Sequence, residues 1–313
     1  MSDDMVLYEV RDEVAFVQMN RPDKLNALSV ELADALNDTW AHFEADPLAK
    51  VAILSAAGRA FCAGADIGGG GPKDDMRIPW AIRVHRAYPQ NGVTVFKPII
   101  GAVQGYALGG GWALAVRGCD ITIAGESAMF GFPEPRVGIS IPPIDYLPYV
   151  PFKASLEFML LAWNGGEMLD ARRAHELGMV NRVVPDADLM NEAIRWAEML
   201  KKVPPMYIKA VKYGHYKAME SKTARDEREY LNFIWPQEVS EDSREGRHAF
   251  KEKREPRFQR SLTALIRFAP AIKLRSARSP RRPVYGNRRR RKTLAVPRII
   301  QPECPLMPLT DYC

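Results

Sequence analysis

The chain has 313 residues, with 44 Lys+Arg against 38 Asp+Glu, a formal net charge of +6 and 47% hydrophobic content. This is enough for one large or two ordinary domains with a substantial core, and a 26% charged fraction excludes wholesale disorder. No apolar run approaches the roughly 18 residues that span a bilayer, which sets a membrane-embedded protein aside.

Val6 to Val10 and Val14 to Met19, separated by a turn at Arg11-Asp12-Glu13, read as a β-hairpin. Ser29 is the expected N-cap of a helix running to about Phe43. Within it, Leu32, Leu36, Trp40 and Phe43 recur at the spacing of one buried face. Val51 to Leu54 is a short buried strand. Ile99 to Val103 is another, running into Gly105 and Gly109 to Gly111 before a helix that carries Trp112 to Val116. Ile121 to Ala124 makes a third. Short strands alternating with helices define an α/β protein. From about Ala187 the pattern turns almost wholly helical, with Leu189, Ile194, Trp196 and Leu200 as its apolar positions. The domain reading is therefore a core over 1–200, a helical region over 201–259 and a tail over 260–313.

The charge is unevenly spread. From Arg260 to Cys313 there are 13 basic and 2 acidic residues and seven of the 24 prolines, which leaves 31 basic and 36 acidic residues in the body. Such a tail resists packing and is expected to be a disordered appendage, so the basic surplus is not a property of the body. Nucleic acid is not an expected partner except through phosphate contacts of this tail. Only Phe268, Tyr285 and Tyr312 are at hand there for base stacking.

Several chemistries can be set aside. The glycines follow a GxxxGGG spacing, neither the GxGxxG dinucleotide fingerprint nor a phosphate loop ending in GK[ST]. Gly125-Glu126-Ser127 lacks the closing glycine of a nucleophile elbow. His42, His85, His175, His215 and His248 never fall in a ligand spacing, so no metal is expected. Cys62, Cys119, Cys304 and Cys313 form no CxxC, and the start Met1-Ser2-Asp3-Asp4 has no apolar leader. A reduced, cytoplasmic setting is expected.

Two segments remain. Arg59-Ala60-Phe61-Cys62-Ala63-Gly64-Ala65-Asp66 follows a buried strand, and Gly105-Tyr106-Ala107-Leu108-Gly109-Gly110-Gly111-Trp112 spans a strand-to-helix transition. Small residues at both places let backbone N–H groups approach a ligand, and a helix start adds unpaired donors. Two N–H groups converging on one oxygen make an oxyanion hole, worth about 3 kcal/mol per donor. Either segment alone would be read as a tight turn.

Taken together with Asn20-Arg21-Pro22-Asp23-Lys24-Leu25-Asn26-Ala27-Leu28, Ala128-Met129-Phe130-Gly131-Phe132-Pro133-Glu134, Ala174-His175-Glu176-Leu177-Gly178-Met179-Val180-Asn181 and Glu245-Gly246-Arg247-His248-Ala249-Phe250, they resemble the crotonase family, the enoyl-CoA hydratase/isomerase superfamily. The resemblance covers residues 4–259. It implies a crotonase-like spiral of ββα units with a C-terminal helical region that assembles a homotrimer or a dimer of trimers. It also implies an acyl-CoA thioester substrate and no cofactor beyond the CoA moiety. Carried over by position, the N–H groups of Ala63 and Gly110 would hold the thioester oxygen, and Ala65, Asp66 and Ile67 would line the adenine site. Lys24, Phe250 and Lys253 would meet the CoA phosphates.

Hydratases of this family use two glutamates. The first of these positions is Ala113 here, while the second survives as Glu134. Moving a double bond from C3 to C2 needs one group that takes and returns a proton, so isomerisation through Glu134 is favoured over hydration. Burial beside Phe130 and Phe132 would raise the Glu134 pKa into a useful range; an ion pair with Arg136 would lower it instead. Asp145 or Tyr146 could supply a second acid. An acyl pocket is expected from Trp80, Tyr88, Trp112, Tyr146 and Trp235, beside a Gly68 to Gly71 loop. A catalytically inactive acyl-CoA-binding homologue and an RNA-binding homologue are the readings of another class.

Overall fold

A computed structural model describes residues 5–67, 84–138, 150–217 and 241–258. It opens on the expected hairpin: β1 (Val6–Arg11) and β2 (Val14–Met19) pair antiparallel, with Val6 opposite Met19. Three strand pairs follow, each a long strand and then a short one. They are β3 (Val51–Ala56) with β4 (Ala60–Cys62), β5 (Ile99–Val103) with β6 (Tyr106–Leu108), and β7 (Ile121–Gly125) with β8 (Met129–Gly131). Two further strands, β9 (Leu169–Asp170) and β10 (Arg182–Val184), complete the set. The five long strands and the short β10 build a six-stranded sheet in the order β1-β2-β3-β5-β7-β10, parallel from β2 onward. The other short ones build a second sheet, β4-β6-β8-β9. Each turn of the chain thus lays one strand in each sheet, the spiral that the resemblance implies.

β3 and β5 are buried at every position, because both faces of the large sheet are covered. α1 (Val30–Ala45) covers one face, placing Leu32, Leu36, Trp40 and Phe43 against Ala52 and Leu54. Its start is the expected one, with Leu32 N–H donating to Ser29 Oγ at 3.2 Å. α2 begins at Gly110–Trp112 and continues as a π-helical turn over Ala113–Gly118, where the sequence predicts ordinary helix. α3 (Phe152–Leu161) and the short α4 (Ala171–Glu176) follow. α5 (Leu189–Leu200) covers the other sheet face, packing Leu189, Ala193 and Ala197 on Val51, Ile53, Ile100 and Ile123. Among the described residues no helix is long and apolar enough to cross a membrane.

A sixth helix, α6, occupies residues 205–217. It is pinned to the large sheet by a nearly buried lysine. Lys212 Nζ donates to Asp120 Oδ2 at 2.7 Å and to Lys97 O at 2.8 Å, while Tyr216 donates to Asp120 Oδ1 at 3.0 Å. α7 (Glu241–Lys251) packs on the turn after β8: a Cβ at Gly138 would stand 2.8 Å from Ser243 Cα, and one at Gly246 would overlap the Val137 backbone. Trp80, Asp145, Tyr146, Trp235, the Gly68 to Gly71 loop and the tail from 260 lie outside the described residues.

Candidate functional site

The segment after β4 is threaded between two others. On one side, Leu28 spends its N–H on Gly64 O at 2.7 Å and its C=O on Asp66 N at 3.0 Å, bridging Ala65 in parallel fashion. On the other side lies the end of β6: a Cβ at Gly64 would stand 2.7 Å from Leu108 O and 3.5 Å from Gly110 N. Gly64 has φ +87°, so both its conformation and its surroundings exclude a side chain. The two glycine-bearing segments therefore meet, as their motifs predict.

The donors differ from the expected pair. Ala63 N–H donates to Leu25 O at 3.0 Å, which removes it as a donor to any ligand. In a parallel bridge the residue between the two bonded groups turns its own N–H and C=O the other way. That residue is Ala65, whose N–H faces away from Leu28 and makes no hydrogen bond among the described residues. Gly110 N–H is likewise unpaired, being the first of α2. Of the two N–H groups expected to meet a ligand, that of Gly110 is open and that of Ala63 is taken by Leu25, while Ala65, two residues on, has an open one among the described residues.

Glu134 follows β8 and opens a 3-10 turn, Glu134–Val137. Its carboxyl rests on the residue before Gly110: a Cβ at Gly109 would overlap Glu134 Oε1 and stand 2.8 Å from Cδ. Gly109 has φ +50° and ψ −113°, a conformation that L residues avoid. Although Glu134 as a residue is half-buried, its Oε2 is sealed from solvent and has no hydrogen-bond partner among the described residues. Desolvation pushes its pKa up to about 8, opposed only by its own backbone N–H. No ion pair with Arg136, which is exposed, offsets this. A carboxyl so placed is suited to exchange a proton with a group lying against Gly109 and Gly110.

Other parts of the site are structural. Arg21 joins the segment to the start of the fold: Nη2 meets Asp66 Oδ2 at 3.1 Å, and Nη1 donates to Ala27 O at 2.6 Å. Asn26, fully buried, donates to Ala57 O and Ala60 O, both at 2.9 Å, and accepts from Arg21 N at 2.8 Å. Sequence reasoning missed this scaffold, although Arg21 and Asn26 both stand in the first motif. Burial pushes the Cys62 thiol up to about 12, which makes it an inert packing group. Trp112 is packed into the core. It is fully buried, its ring 5.6 Å from Phe132 and 5.9 Å from Phe158, with Nε1 directed to Met179 Sδ at 3.4 Å. Tyr88, by contrast, does reach the site, its hydroxyl standing against Gly110. Ala113 is buried within the π turn. Lys24, Phe250 and Lys253 are exposed, and no side-chain hydrogen bond or ion pair links Lys24 to the other two. Ala65, Asp66 and Ile67 run on from the Leu28 bridge in that order.

The family model for enoyl-CoA hydratase/isomerase matches residues 9–261. The chain belongs to this family. Being a crotonase-family protein, it is an acyl-CoA-processing enzyme. It is 33% identical over 260 residues to (E)-benzylidenesuccinyl-CoA hydratase of Thauera aromatica, covering 81% of this chain and 98% of that one. To a probable mitochondrial enoyl-CoA hydratase of Dictyostelium discoideum it is 34% identical, covering 79% and 88%. Among solved structures, an enoyl-CoA hydratase/isomerase from Pseudoalteromonas atlantica superposes with TM-score 0.70 at 29% identity, covering 81% of this chain and 99% of that one. A carnitinyl-CoA hydratase from Mycobacterium avium gives 0.68 at 32%, covering 82% and 99%. The spiral of paired strands is therefore the crotonase fold.

Proposed function

We propose that this enzyme isomerises a 3-enoyl-CoA to the 2-enoyl-CoA, with Glu134 as the single acid/base and the N–H groups of Ala65 and Gly110 as the oxyanion hole. The reading rests on one observation: a sealed carboxyl oxygen without a partner among the described residues, seated against the residue before a helix-start N–H that is unpaired among them. In the reaction, the Glu134 carboxylate takes a proton from C2. The electron pair moves into the thioester carbonyl, and the dienolate oxygen is held by the two N–H donors. The same carboxyl then returns the proton to C4, and the carbonyl re-forms as the double bond settles between C2 and C3. Atoms and charge balance without water or a redox partner. Ala65, Asp66 and Ile67 line the adenine, and Lys24, Phe250 and Lys253 serve the CoA phosphates. The C-terminal helices join copies into a trimer, where α6 leaves Met206 (74% exposed), Tyr207 and Tyr213 uncovered.

Hydration of a 2-enoyl-CoA is the second reading, supported by the hydratase names of the relatives. The test is to supply purified protein with a 3-enoyl-CoA and, separately, a 2-enoyl-CoA, and to identify the products. Isomerisation of the former with slow or absent hydration of the latter is expected. Rapid hydration without isomerisation would select the second reading.

A further inference from the structure

The face of the large sheet under α5 changes character at one end. On neighbouring strands the residues of this face run apolar, apolar, polar: Val14, Phe16 and Gln18 on β2, then Val51, Ile53 and Ser55 on β3. Ile100 and Ala102 of β5 lead in the same way to Gln104. The register sets Gln18 beside Ser55, so their side chains share the face. α5 starts at Leu189, and the polar ends line a groove of about 510 Å³ at the carboxyl edge of the sheet. None of Ala65, Gly110 and Glu134 lines it, so it is separate from the site described above.

The groove holds one charge of each sign. Arg59, exposed on the turn between β3 and β4, makes no hydrogen bond or ion pair among the described residues. Asp186 opens the 3-10 turn Asp186–Asp188 that leads into α5. Its Oδ1 is fixed by accepting from Ser127 N at 3.1 Å, while Oδ2 has no partner among the described residues. Gln104 spends Nε2 on Ala56 O at 2.7 Å, which leaves its amide oxygen open among them. The Gln18 amide makes no hydrogen bond among them either. Ala102, Leu189 and Met190 add an apolar surface.

A guanidinium without a carboxylate on it calls for an anion, and a planar carboxylate matches its fork. An open carboxylate oxygen and an open amide oxygen call for a cationic donor. Asp186 would repel a simple anion and Arg59 a simple cation, so a ligand with both ends fits better than either. A short aliphatic body suits the apolar surface, and the volume is that of a small-molecule site. We propose that this groove binds an aliphatic α-amino acid, its carboxylate on Arg59 and its ammonium on Asp186, with the Gln18 and Gln104 amides completing the contacts. The site is independent of the oxyanion reading.

Titration calorimetry of the full chain with L-leucine tests this, and saturable one-to-one binding is expected. Isocaproate and isoamylamine, which each lack one charged end, should bind at least about 10-fold more weakly, because one charged hydrogen bond is lost. Arg59→Met and Asp186→Asn should each weaken leucine about 10-fold or more with Tm near wild type. Asp186→Asn keeps an acceptor for Ser127 N, so the local fold is preserved. Ala187→Trp, which fills the groove from its exposed rim, should abolish leucine binding and leave acyl-CoA turnover unchanged. Three results would each overturn the proposal: no saturable binding of leucine, equal binding of isocaproate, or wild-type affinity in Arg59→Met.

Discussion

Glu134 links stability and activity to pH in opposite directions. Its pKa is about 8 in the folded chain against an ordinary 4.5. Below 4.5 the carboxyl is protonated in folded and unfolded chains alike, so it does not discriminate between them. Between 4.5 and about 8 the unfolded chain releases the proton while the native state keeps it, so stability falls as pH rises through this window and then levels. Wild-type Tm should drop across that window, and Glu134→Gln should flatten the drop; an unchanged slope would contradict the burial. With Glu134 as the proposed base, activity runs the other way, because a base must be ionised: kcat/KM should climb toward pH about 8, and Glu134→Gln should lose roughly 10²- to 10⁴-fold in kcat. Gly109→Ala should push the carboxyl aside and add a strain of about 1–3 kcal/mol, visible as lost turnover and a lower Tm. At this scale the sequence was partly legible. Glu134 and Gly110 stand out in their motifs, but the choice between Ala63 and Ala65 depends on which N–H a neighbouring chain consumes. Leu25 takes the Ala63 N–H, whereas Leu28 bonds Gly64 O and Asp66 N and leaves the Ala65 N–H unused, a tertiary fact with no local signal.

Among the elements, the segment after β4 owes its position to Arg21 and Asn26 more than to its own bonds. Arg21→Ala would leave Asp66 without its shielded cation and cost about 2–3 kcal/mol. Because Asp66 adjoins Ala65, kcat should fall along with Tm, whereas Arg21→Lys, keeping the charge, should recover part of both. α6 depends on a similar anchor: Lys212→Met should cost about 3 kcal/mol and raise hydrogen exchange in residues 205–217, as expected when one partner of a nearly buried pair is removed. The long strands and α1 were readable because five or six apolar residues, or a repeating helical face, survive averaging. β4, β6, β8, β9 and β10 were not, since two or three residues show no period. The π turn over Ala113–Gly118 has no sequence signature either, as its composition suits an ordinary helix.

For the whole molecule, the body carries a net negative formal charge and the basic surplus lies beyond residue 259. A chain cut to 1–259 should keep Tm and thioester turnover, and any RNA affinity of the full chain should weaken steeply with salt and vanish on truncation. Loss of folding in 1–259 would make the tail part of the enzyme. Light scattering should report a trimer or its double, and Tyr207→Glu should lower that mass while leaving the Glu134 chemistry of any residual assembly intact.

The interleaving of the two sheets has a kinetic corollary. Ala65, Gly110 and Glu134 each follow a different short strand of the second sheet, and each of those strands is laid down one turn of the spiral after the last. Parallel pairings between such distant stretches close large loops and form slowly. A chain lacking any one of these pairings separates the three groups, so regained turnover should lag behind tryptophan fluorescence during refolding from urea. Catalysis in this protein is a clock for the last docking event.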